Sequence, residues 1–145
     1  MTQISNSEWE VMRVLWASEE QKSSDIIRIL QEKFDWSPST IKTLLGRLVD
    51  KKLVTSKRDG RAYLYRAIEG PKVYQEALIR EDFDKICQRQ HSDIIYQLLD
   101  DLPMTSQEVA LFLSLLQGKK TVESVACNCV PGQCACHVKG EMTYD

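Results

Sequence analysis

The stretch CNCVPGQCAC, residues 127–136, holds four of the chain's five cysteines. Pro131-Gly132 at its centre is a turn dipeptide. Proline presets φ at the second turn position and glycine accepts positive φ at the third. A chain folded back there sets Val130 opposite Gln133, Cys129 opposite Cys134 and Cys127 opposite Cys136. Side chains alternate along extended arms, so Cys127, Cys129, Cys134 and Cys136 would all face one side. A Pro-Gly type II turn splays such arms without undoing that arrangement. Four thiolates suit a soft ion. Zn(II) takes them as a tetrahedron with Zn–S near 2.3 Å, which needs sulfurs about 3.8 Å apart. Extended Cys-X-Cys spaces its cysteines about 6.7 Å apart, so one zinc must pinch both arms. Cu(I) accepts two or three thiolates and tolerates bridging, so a wider square of sulfurs holds two such ions. One Zn(II) or two Cu(I) leave the same net charge. The spacing also admits a structural zinc clip or a disulfide such as Cys129–Cys134. Cys87 falls in a helical pattern away from the cluster and reads as a buried thiol. His137 adjoins Cys136 outside the doubled Cys-X-Cys and reads as incidental.

The remaining 135 or so positions must position this cluster and do something of their own. With 145 residues, 43% hydrophobic and 28% charged, the chain suits one or two small domains with a true core. Its apolar runs are too short to cross a bilayer, and its first residues, MTQISNSEWE, lack a signal-peptide pattern. A cytoplasmic protein with reduced thiols and no membrane partner is expected. The net charge of -2 is unevenly spread. Positions 36–66 carry eight Lys or Arg against two acids, and positions 71–145 carry seven against eleven. One basic segment in an acidic chain suits local contact with a polyanion. No Gly-rich phosphate loop or Gly-X-Ser-X-Gly occurs, and the histidines are His91 and His137 alone. An enzyme is not expected.

Helix signals recur along the chain. Ser5 and Glu8 form a capping box, flanked by a hydrophobic staple of Ile4 and Trp9. Val11, Met12, Leu15 and Trp16 give the first helix its apolar face, ending near Ala17. Ser23 or Ser24 caps a second helix, with Ile26, Ile27 and Leu30 inward. Ser37 as cap and Pro38 at the first position start a third, to about Lys51. Asp59-Gly60 reads as a two-residue hairpin turn between strands at 53–57 and 62–67. Helices then return: one from about Val73, and one carrying Ile94, Ile95, Leu98, Leu99 and Leu102 and ending at Pro103. Another opens on a capping box, Thr105 to Glu108, carries Val109, Phe112, Leu113 and Leu116, and ends at Gly118. These helices are too apolar on one side to stand alone. They pair with a second copy or pack back on the N-terminal domain.

The third helix turns Ile41, Leu44, Leu45 and Leu48 to one side. Ser39, Thr40, Lys42, Thr43 and Arg47 lie on or beside the other. A helix fits the major groove of double-stranded DNA, and these side chains suit phosphates and base edges. Arg58 and Arg61 at the hairpin tip suit flanking phosphates. The expected fold is therefore mostly α with a small β-hairpin wing. It comprises a winged helix-turn-helix DNA-binding domain at 1–70, a helical dimerisation region at 71–120 and a flexible Cys-rich metal-binding tail at 121–145. A metal buffer on a helical scaffold and a thiol redox sensor remain as alternatives.

DWSPSTIKTLLGRLVDKKLVTSKRDGRAYLYRA resembles the winged-helix repressors of the BlaI/MecI/CopY group, and SEWEVMRVLW is similar to that group's first helix. The doubled Cys-X-Cys resembles its copper-responsive branch. The resemblance covers residue 4 to about residue 118, and the tail fits the copper branch only. It implies a homodimer on a palindromic operator, with half-sites about 34 Å apart. It further implies a zinc-bound form that holds DNA, Cu(I) delivered by a copper chaperone, and release of copper-homeostasis genes. The β-lactam-responsive relatives are instead inactivated by proteolysis between their C-terminal helices.

Overall fold

A computed structural model of the chain describes residues 3–136. Its elements in order are α1 (Asn6–Ala17), β1 (Gln21–Lys22), α2 (Ser23–Lys33), α3 (Pro38–Asp50), β2 (Val54–Asp59), β3 (Ala62–Ala67), α4 (Pro71–Asp84), α5 (His91–Asp101) and α6 (Ser106–Gln117). Two compact units divide between Glu76 and Ala77, inside α4.

In the first unit, α1, α2 and α3 pack against an antiparallel sheet of order β1-β3-β2. The mostly helical winged-helix fold read from the sequence is present. Val11, Met12 and Leu15 of α1, Ile26 of α2, and Ile41, Leu45 and Leu48 of α3 meet in the core, each at most 2% exposed. Burying each such side chain contributes about 1.5–3 kcal/mol. Tyr74 closes the core from the first turns of α4. Trp16 stacks on Tyr74 at 5.8 Å and donates its indole N–H to the Glu69 carbonyl at 3.0 Å.

Local signals place the helix starts. Ser5 Oγ accepts the Glu8 amide at 3.2 Å, and Ser37 Oγ accepts the Thr40 amide at 3.1 Å. Glu8 does not close the expected box. Its buried carboxylate takes a 2.6 Å bond from Lys51 Nζ, tying the start of α1 to the end of α3. A charge removed from water needs a partner more than the exposed cap amide needs a second acceptor. Neither Ser23 nor Ser24 caps α2, because the cap position is Lys22, whose backbone is committed to β1 opposite Leu64.

The end of α3 aims the hairpin. Lys52 adopts φ +61°, its N–H bonds to the Val49 carbonyl, and the Leu53 N–H bonds to the Leu48 carbonyl. This is a Schellman stop, with buried Leu48 and Leu53 as its apolar pair and lysine where glycine is usual. The hairpin turn falls one residue later than expected. Asp59 still pairs with Ala62, so Gly60-Arg61 forms the loop, with φ +63° at Gly60. Positive φ at the first central residue alone is the type II′ pattern, which matches strand twist.

In the second unit, α4 breaks after Asp84, and a 3-10 turn at Gln88–Gln90 leads into α5. Thr105 and Glu108 complete the reciprocal capping box of α6 at 3.2 and 2.9 Å. Gly118 caps its far end. Leu98 is 59% exposed, Leu111 71% and Leu115 68%, so α5 and α6 carry apolar surface left uncovered among the described residues.

Candidate nucleic-acid interface and metal centre

Packing of Ile41, Leu44, Leu45 and Leu48 into the core forces the opposite side of α3 outward. Ser39, Thr40, Lys42, Thr43 and Arg47 are all exposed. The hydroxyls of Thr40 and Thr43 are held locally, by Ser37 Oγ and the Ser39 carbonyl, both at 3.0 Å. Lys42 and Arg47 meet no carboxylate within ion-pair distance among the described residues. Gly46 between them has open space beside its Cα, so nothing within the chain requires glycine there.

Arg61 sits exposed in the hairpin loop, also without an acidic partner among the described residues. Arg58 is exposed and donates from Nε to the Gly60 carbonyl at 3.1 Å, which stiffens the loop. Two other cations of the hairpin are answered within the chain, Lys57 by Glu20 at 3.5 Å and Arg66 by Glu19 at 3.3 Å. Lys42 and Arg47 on α3 and Arg61 at the hairpin tip thus keep cationic charge that no carboxylate among the described residues answers. Fixed cations without internal partners draw a polyanion by counterion release.

The cysteines form a second constellation. The Pro131-Gly132 turn is present: Gly132 has φ +94°, and the Gln133 N–H bonds to the Val130 carbonyl at 3.1 Å. The Val130 N–H in turn donates to Gln133 Oε1 at 3.2 Å. Cys127 Sγ approaches Cys134 Sγ at 3.4 Å, a diagonal across the turn, while the sulfurs of the facing pair Cys129 and Cys134 also lie within 4.8 Å of each other.

Cys87 is the residue that sequence reasoning misplaced. It lies at the α4–α5 junction, and its sulfur stands 3.7 Å from Cys127 Sγ and 3.7 Å from Cys136 Sγ. The sulfurs of Cys87, Cys127, Cys129 and Cys134 all lie within 4.8 Å of one another. That spacing brackets the roughly 3.8 Å edge of a tetrathiolate tetrahedron, so these residues fit a thiophilic ion. Asn128 reinforces the approach, its side-chain oxygen accepting the Gln88 amide at 2.9 Å. His137 lies outside the described residues.

Crowding sets the protonation of these thiols. Burial, and then hydrogen bonding to the sulfurs of Cys87, Cys134 and Cys127, pushes Cys129 up to about 12. Hydrogen bonding to Cys134 and Cys87, then burial, pushes Cys136 up to about 12 as well. Burial also acts upward on Cys134, but the Cys136 amide and neighbouring thiols outweigh it and hold Cys134 below the ordinary thiol range. Cys129 and Cys136 therefore hold their protons more tightly than ordinary thiols, and a metal ion bound there must displace them.

Comparison with known proteins gives the family of this architecture. The family model described as penicillinase repressor matches residues 4–118, stopping short of the cysteine-rich stretch. An uncharacterized 16.5 kDa protein of Latilactobacillus sakei, from the ptsI 3′ region, is 35% identical over 136 residues, 92% of this chain and 93% of its own. The methicillin resistance regulatory protein MecI of Mammaliicoccus sciuri is 25% identical over 117 residues, 81% of this chain and 95% of its own. The solution structure of monomeric Bacillus licheniformis BlaI in complex with the blaP half-operator is 35% identical, covering 48% of this chain and 87% of that one, with a TM-score of 0.44. With its match spanning both the winged-helix fold and the helices that follow it, the chain belongs to the penicillinase repressor family.

Proposed function

We propose that this chain is a cytoplasmic, copper-sensing transcriptional repressor. It binds a palindromic operator as a homodimer and leaves it when Cu(I) occupies the cysteine cluster. The observation that carries the reading is the set of unneutralised cations, Lys42 and Arg47 on α3 and Arg61 on the hairpin. In this reading α3 lies in the major groove, with Ser39, Thr40, Lys42, Thr43 and Arg47 toward phosphates and base edges. Arg58 and Arg61 meet the flanking backbone. The exposed apolar sides of α5 and α6 form the dimer interface, because exposed patches of that kind mark association surfaces. The functional parts are a DNA-binding domain at 1–70, a dimerisation region at 71–120 and a metal-responsive tail at 121–145.

Cys127, Cys129, Cys134 and Cys136 supply the thiolates that take Cu(I). Soft sulfur ligands select Cu(I) and Zn(II) over the hard cations of the cytoplasm. The resting state holds Zn(II), and a copper chaperone donates Cu(I). The switch needs a coupling of only about 1–3 kcal/mol, and by reciprocity operator DNA weakens copper binding by the same factor.

The test is a gel shift with candidate operator DNA, titrated first with Zn(II) and then with Cu(I) under reducing conditions. Binding that persists with Zn(II) and is lost with Cu(I) is expected. No shift at moderate salt would favour a metal buffer. Release by oxidant but not by copper would favour a thiol redox sensor.

A further inference from the structure

The doubled Cys-X-Cys contains enough sulfur for one tetrahedral ion, yet the four sulfurs mutually within 4.8 Å include Cys87 and leave out Cys136. Cys87 comes from 40 residues before Cys127. Cys87 and Cys127 are each 7% exposed, the two most enclosed cysteines among the described residues.

Cys87 is held by the protein rather than by the tail. The Ile86 N–H bonds to the Phe83 carbonyl at 3.0 Å, and the Gln90 N–H bonds to the Cys87 carbonyl at 2.9 Å. His91 Nε2 lies 2.7 Å from the Phe83 carbonyl and 2.9 Å from that of Ile86, and its ring meets Phe83 edge-on at 4.9 Å. The junction that presents this thiol is thus braced on both sides of it. The tail answers twice, with Cys127 Sγ on Cys87 Sγ and Asn128 Oδ1 on the Gln88 amide.

A ligand from outside the tail also removes a geometric conflict. Extended Cys-X-Cys is about 6.7 Å long, wider than a tetrahedral edge, so four tail sulfurs about one zinc compress both arms. Replacing one of them with Cys87 relaxes one arm. Cys136, 3.7 Å from Cys87 but outside the mutual set, is then the surplus sulfur.

We infer that Cys87 is a metal-ligating thiol, and that the ion it shares with Cys127, Cys129 and Cys134 fastens the tail to the α4–α5 junction. This deepens the sensor reading above and rests on it. It also gives metal occupancy a direct mechanical link to the helices proposed to dimerise.

Co(II) is the probe, as a spectroscopic substitute for Zn(II), added to the full chain under anaerobic reduction. The wild type should show thiolate-to-cobalt charge transfer of four-sulfur intensity. Cys87→Ser should lose about a quarter of that intensity and bind at least about 100-fold more weakly, beyond the usual cost of losing even an outer-shell partner. Cys136→Ser should stay within about twofold of wild type in both measures. Full four-sulfur intensity and unchanged affinity in Cys87→Ser would overturn the inference, as would their loss in Cys136→Ser. A wild type without any thiolate–cobalt band removes the sensor reading as well. A wild type that binds normally beside an indistinguishable Cys87→Ser removes only the role of Cys87.

Alkylation of the wild-type chain needs no variant. Zn(II) should slow iodoacetamide labelling of Cys87 by about tenfold or more and leave Cys136 nearly unaffected. Labelling of Cys87 at equal rates with and without Zn(II) contradicts the assignment.

Discussion

The winged unit and the cysteine cluster hold their functional side chains by opposite means. On α3, exposed residues are placed by what lies beneath them: fully buried Ile41, Leu45 and Leu48 fix the rotation of the helix, and Arg47 follows. The cysteines lie outside the apolar core cluster, and their sulfurs are tied by a turn, a few hydrogen bonds and one another. The first arrangement exists before its ligand arrives. The second is built from groups whose mutual crowding a cation relieves. A recognition surface needs rigidity, whereas a sensor needs a geometry that its ligand can change.

Mutations can break or sharpen this contrast. The largest effect should come from Leu48→Ala, at about 2–5 kcal/mol of stability, because the side chain is fully buried. Trp9, Trp16 and Trp36 are the chain's three tryptophans, and all precede Glu76, so their fluorescence during urea unfolding reports the winged unit alone. Co(II) uptake should survive the substitution. Parallel loss of uptake would show that the units are not separable. Next comes Cys127→Ser, which removes a sulfur close to both Cys87 and Cys134. Metal affinity should fall at least about 100-fold and the copper response should vanish, while the tryptophan-reported transition stays in place. A third, Arg47→Ala, should cost about 1–3 kcal/mol of operator binding in a salt-controlled titration and leave metal uptake intact. The smallest is Gly132→Ala. At φ +94° with open space around its Cα, the penalty is purely one of backbone, about 1 kcal/mol. Isothermal titration should read it as roughly fivefold weaker metal binding, with DNA affinity unchanged.

What the sequence disclosed follows the range of the forces involved. Ser37-Pro38, Thr105 with Glu108, and Pro131-Gly132 act over a few residues, and each appears where local chemistry puts it. The core side of α3 was legible because helical period and burial agree. The short β1 was not, since Gln21 and Lys22 are strand only by virtue of Tyr65 and Leu64 beside them. The Schellman stop at Lys52 was hidden by the lack of glycine. Glu8 carried a capping-box signal that the distant Lys51 overrode. Cys87 was misread for the same reason: its helical neighbours speak for local structure, and its partners lie 40 and 49 residues onward.

Helix α6 is twelve residues long, fully capped and largely uncovered. Helices of that length are marginal alone in water, so its two end caps matter more than they would for a buried helix. A surface ordered beforehand does not have to spend association energy on folding. In the proposed dimer, pairing then obeys simple mass action between ready-made surfaces. At concentrations below the pairing constant, the abundance of operator-competent dimer scales as the square of chain concentration. A halving of synthesis would lower operator occupancy more steeply than a halving of DNA affinity, making the cell's supply of this protein a second control over the genes it governs.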